Sequence, residues 1–88
     1  MDIAISNRRN KKFVITVDGK KIHFGDKRYE HYSNNNLPDE FKNTYPTHED
    51  DERRRKYLAR ATKIKNKFGE LTVNDPMSPN YYSVRLLW

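Results

Sequence analysis

Apolar and polar residues alternate on both sides of Asp18-Gly19, in Lys12-Phe13-Val14-Ile15-Thr16-Val17 and in Lys20-Lys21-Ile22-His23-Phe24. Asp-Gly between two alternating runs predicts a two-residue hairpin turn, because type I′ geometry needs positive φ at both central positions. That turn sets Phe13 opposite Phe24 and Ile15 opposite Ile22 on one face, and Val14 opposite His23 and Thr16 opposite Lys21 on the other. An isolated hairpin is unstable in water, so its apolar face requires a cover.

The expected cover is a helix over Thr47–Phe68. Thr47 and Asp50 stand at N-cap and N3 spacing, and Glu49, Asp50, Asp51 and Glu52 suit the positive end of the helix dipole. Lys63, Lys65 and Lys67 suit the other end, with Gly69 as the stop. Tyr57, Ala61, Ile64 and Phe68 recur at steps of four, three and four and form one apolar stripe. Arg53, Lys56, Arg60, Lys63 and Lys67 fall beside it in an arc of roughly 80° at 100° per residue.

Gly25 to Pro46 is polar and aromatic and reads as a long ordered loop, loosest at Ser33-Asn34-Asn35-Asn36. Glu70 to Asn74 is a candidate third strand. Ser78 as N-cap and Pro79 at N1 open a short C-terminal helix ending at Trp88, with Tyr81, Val84 and Trp88 on one face. The expected fold is α+β, a small antiparallel hairpin sheet packed against one amphipathic helix with a short helix at the C-terminus. It forms a single domain over residues 1–88, of which 1–11 are a basic N-terminal arm.

Composition sharpens this picture. Leu, Ile, Val and Phe make up 18 of the 88 residues, near the roughly 20% below which charged chains tend to stay disordered. Eleven aromatics compensate, because each buries a large area at low rotamer cost. No cysteine is present, which excludes disulfides and thiolate zinc sites. No run approaches the ~20 apolar residues of a membrane span, and the N-terminus lacks a signal-peptide pattern, so a soluble protein, intracellular where it is made, is expected.

The net charge of +6 points to polyanionic partners. The helical row Arg53, Lys56, Arg60, Lys63 and Lys67 spans about 21 Å at 1.5 Å per residue, the length of a phosphate-binding ridge. Arg8, Arg9, Lys11 and Lys12 add a flexible basic arm of the kind that enters a minor groove. Acidic residues at positions 49–52 and 39–40 offset part of this charge. Tyr29, Tyr32, Tyr45, Tyr81 and Tyr82 could stack on bases, although a core this poor in aliphatics needs them for packing.

Enzymatic chemistry finds little support. His23, Asp26, Glu30, His31, His48 and Asp50 include metal-ligand types, but no His-Glu-x-x-His or other zinc spacing occurs. No Gly-x-Ser-x-Gly elbow and no glycine-rich phosphate loop exist, and no cofactor or metal is expected.

Three blocks carry a resemblance: His23-Phe24-Gly25 with Arg28-Tyr29 and Tyr32; Arg53-Arg54 with Tyr57-Leu58 and Arg60; and Ser78-Pro79 with Tyr81, Ser83 and Leu86-Leu87-Trp88. In this order they resemble an uncharacterised family of small proteins encoded by large DNA viruses of eukaryotes and by some tailed phages. At Ala61 the resemblance leads one to expect histidine. The resemblance implies a viral origin and marks His23, Phe24, Gly25, Arg28, Tyr29, Tyr57, Tyr81 and Trp88 as family-motif or packing positions. The functional expectation is a non-enzymatic virion protein, a minor capsid component acting through contacts with other virion proteins. The alternative is a small basic protein bound to packaged DNA or RNA.

Overall fold

The computed structural model describes residues 2–88. Its fold is α+β: a three-stranded antiparallel sheet in the order β1 (Asp2–Ile5), β2 (Lys11–Val17), β3 (Lys20–Asp26), with helices α1 (Asp51–Ala61) and α2 (Pro79–Leu86). Short 3-10 turns occupy Asp39–Phe41 and Thr72–Asn74.

The hairpin forms in the expected register, with Phe13 on Phe24, Ile15 on Ile22, Val14 on His23 and Thr16 on Lys21. Asp18 and Gly19 both take positive φ, 50° and 79°, as a type I′ turn demands. Phe13, Ile15, Ile22 and Phe24 are buried and form a core with Leu37, Tyr82, Leu86 and Leu87. Phe41 and Tyr45 from the long loop meet the Phe13 ring edge-on, at centroid distances of 5.7 and 5.4 Å. Aromatic side chains therefore supply much of the core that aliphatics do not.

Four expectations are corrected. The segment expected as a free basic arm is tied down: Asp2–Ile5 is strand β1, with Ile3 on Ile15 and Ile5 on Phe13. Lys11 and Lys12 belong to β2, and Met1, the arm's first residue, lies outside the described residues. The third strand is thus β1, while at Glu70–Asn74 Leu71 only bridges to Lys65 before the 3-10 turn.

Helix α1 is shorter than its stripe implied. Asp50, not Thr47, is its N-cap, accepting from the amides of Glu52 and Arg53 at 2.9 and 3.2 Å. The helix ends at Ala61, where the Thr62 hydroxyl donates to the Leu58 carbonyl at 2.6 Å. Lys63, Lys67 and Gly69 lie beyond it, and Ile64 and Phe68, outside the core, are 51% and 74% exposed.

The helix against the sheet is α2, through Tyr82 on Phe24 at 5.9 Å between centroids, and α1 leans on α2 instead. Ser78 and Pro79 start α2 as expected. Its buried face is Tyr82, Ser83 and Leu86, while Tyr81, Val84 and Trp88 are half-buried.

Candidate nucleic-acid interface

Because α1 stands away from the sheet, a cleft of about 620 Å³ opens between them. Helix α1 contributes Arg53, Lys56, Tyr57 and Arg60, which its periodicity places on one side. The end of the β2–β3 hairpin and the following loop contribute Lys11, Asp26, Tyr29 and Glu30. Lys12, Gly25, His31, Leu87 and Trp88 also line it, with Pro79 and Ser83 of α2.

Gly25 makes the base of the cleft possible. Its φ of +78° favours glycine, and a Cβ there would stand 3.0 Å from both Leu87 Cδ1 and Lys12 Cβ. Lys12 consequently lies flat over Gly25 and is 2% exposed. Its ammonium donates to the Tyr29 carbonyl at 2.6 Å and to His31 Nδ1 at 2.8 Å. With Nδ1 accepting, His31 carries its proton on Nε2 and donates it to Asn34 Oδ1 at 2.5 Å. Asn34 Nδ2 donates in turn to the carbonyls of Lys42 and Tyr45.

Burial pushes the Lys12 ammonium down to about 8, against the pull of Asp26 and Glu30. At neutral pH it is still charged. Burial lowers His31 to about 4, opposed by its bond to Asn34 and reinforced by the Lys12 charge, so its imidazole is neutral.

Five cations and two carboxylates line the cleft, and both carboxylates are engaged. Asp26 accepts from Arg28 Nε at 3.0 Å and Nη2 at 2.8 Å, and these hydrogen bonds hold its carboxyl down at about 2. Glu30 meets Arg53 at 3.7 Å, bringing α1 and the loop together at that point. Lys56 approaches Glu52 at 3.9 Å. Among the described residues Lys11 and Arg60 have no ion-pair partner.

Of the nine basic residues singled out in the sequence, the fold brings Lys11, Lys12, Arg53, Lys56 and Arg60 together. Arg8 and Arg9 lie exposed in the β1–β2 connection, while Lys63 and Lys67 follow the end of α1, with Lys67 over the Phe68 ring. The motif positions divide as well. Phe24 is core, and His23 Nδ1 shares a hydrogen bond with the Ser6 hydroxyl at 2.7 Å. Tyr57 and Trp88 stack at 4.0 Å with planes 8° apart, and Arg85 covers Tyr81 at 3.6 Å. Tyr29 is 65% exposed at the cleft. Asp26 and Glu30, weighed in the sequence as metal ligands, sit among cations instead, and no local signal places them there. No group of three or more metal-ligating side chains converges among the described residues. No helix among them is long and apolar enough to cross a membrane.

Residues 1–36 match a family of unknown function, DUF5754. The match covers the sheet and the loop side of the cleft and stops before α1. No curated protein and no solved structure matches the chain.

Proposed function

We propose that the protein is a non-enzymatic binding protein of a virus particle that holds the phosphate backbone of packaged nucleic acid in the basic cleft. The observation that carries this is the convergence of Lys11, Arg53, Lys56 and Arg60 from two separate elements into one concavity above the buried Lys12 ammonium, with both carboxylates engaged by arginines. Concave sites lined by one sign of charge focus the field and concentrate counter-charged ligands. The resemblance of the three sequence blocks to proteins of large DNA viruses supplies the viral setting.

A labelled oligonucleotide titrated at several salt concentrations tests it. Lys56→Gln with Arg60→Gln, both at exposed or half-exposed helix positions, leaves the melting temperature nearly unchanged. It reduces the slope of log K against log salt by about 1.4, at roughly 0.7 per lost single-strand phosphate contact. An unaltered slope removes the reading.

A second reading, a minor capsid component held by protein contacts, is favoured by the large apolar side chains Ile64, Phe68 and Met77, which are 51%, 74% and 38% exposed. Under it, Phe68→Ser prevents incorporation into particles while DNA binding is unchanged.

A further inference from the structure

We infer that the nucleic acid taken by the cleft is single-stranded, its backbone lying between α1 and the β2–β3 hairpin while a base stacks on Tyr29. This rests on the nucleic-acid reading above and adds the form of the ligand.

A helix that reads a duplex enters the major groove, about 12 Å wide, and needs a convex, unobstructed basic face. Here the basic face of α1 is the concave one: Arg53, Lys56 and Arg60 share the cleft with Lys11, Tyr29 and Glu30. The opposite face offers little to a phosphate backbone. Arg55 is paired with Glu52, and Arg54 Nε donates to the Trp88 main-chain oxygen at 2.8 Å while its guanidinium covers Tyr32 at 5.1 Å. The side of α1 facing away from the cleft is therefore nearly neutral, and its charged side is turned towards the hairpin and the following loop.

The volume of the cleft agrees. About 620 Å³ is the scale of sites that enclose small ligands, roughly 300–1,000 Å³. It is large enough for a nucleotide unit with its phosphate. Binding to single strands without sequence readout combines a positive groove with aromatic platforms. Tyr29 meets the second requirement: it lines the cleft, is 65% exposed, and its ring is contacted by Arg28 at 5.8 Å. The other aromatics of the cleft, Tyr57 and Trp88, are already stacked on each other.

The experiment uses the full chain and one short mixed-sequence DNA, single-stranded and as its duplex, followed by fluorescence anisotropy. The single strand is expected to bind at least about tenfold more tightly. Tyr29→Ala is expected to lower single-strand affinity about tenfold at every salt concentration without changing the slope, since stacking releases no counterions, and Tyr29→Phe restores it. Equal or tighter duplex binding that still responds to Lys56→Gln/Arg60→Gln overturns the inference and leaves the cleft as a nucleic-acid site. Unchanged single-strand affinity in Tyr29→Ala also overturns it, and no binding of either form overturns both readings.

Discussion

Lys12 Nζ stands 2.8 Å from His31 Nδ1, so a cation on strand β2 fixes the tautomer of a histidine in the loop after β3. Both residues are buried, at 2% and 1% exposure, and the bond continues through Asn34 to the main chain of residues 42 and 45. A buried network of this kind resists the loss of one member more than its individual bonds suggest. Lys12→Met leaves His31 Nδ1 and the Tyr29 carbonyl unpaired and is expected to cost about 2–4 kcal/mol. His31→Leu added to it costs less than the sum of the two, with a coupling above about 1 kcal/mol in a denaturant double-mutant cycle.

The pH dependence follows from His31. Its folded value of about 4 lies below the ordinary 6.5, so between these values the unfolded chain binds a proton that the folded one does not. This contribution to stability is fully present above about 6.5 and is lost as the pH falls towards 4. The loss is expected to reach about 3 kcal/mol in urea titrations over that window, and His31→Leu removes most of it, leaving the smaller share of His23 and His48, which are also shifted down. Asp26, held at about 2, affects stability only at more acid pH.

Gly25 and Gly69 share a φ near +79° but differ in surroundings. Gly69→Ala meets open space and is expected to cost about 1 kcal/mol for conformation alone. At Gly25 the same change also drives a methyl against Leu87 and Lys12, so a loss at least twice as large is expected in thermal melts.

Trp88 ties α1 to the rest of the chain through its stack on Tyr57 and the Arg54 bond to its main-chain oxygen. Trp88→Ala is expected to lower stability by about 2–3 kcal/mol. Loss of a Trp88→Ala variant from particles therefore reports folding before it reports contacts.

Glu30 is the cleft-lining carboxylate that an incoming phosphate must displace from a cleft cation, Arg53. Glu30→Gln is expected to raise single-strand affinity about three- to tenfold with little change in melting, because the exposed pair contributes under about 1 kcal/mol to stability. Reduced affinity in that variant contradicts the placement of phosphate beside Arg53.

The hairpin was legible because Asp18-Gly19 fixes a register by backbone geometry alone, and the alternation of Phe13, Ile15, Ile22 and Phe24 agrees with it. Ser78-Pro79 was legible for the same local reason. Strand β1 was not: four residues without turn chemistry of their own gain strand character only from pairing with β2. The stripe Tyr57, Ala61, Ile64 and Phe68 misled, since periodicity records which residues share a face and not whether anything lies opposite. The cleft was half legible. The basic row on α1 is a local pattern, whereas its meeting with Lys11, Tyr29 and Glu30 depends on contacts between segments more than twenty residues apart.

Helix α1 rests on α2 and on Trp88 and leaves the sheet to the core beneath it. The two sides of the cleft therefore belong to units of unequal cooperativity. Amides in β2 and β3 are expected to exchange hydrogen only when the whole chain opens, and those of α1 earlier, by local detachment at the Tyr57–Trp88 stack, which native-state hydrogen exchange measures. One side of the cleft is thus anchored in the sheet core, and the other is held at the Tyr57–Trp88 stack and the Glu30–Arg53 pair.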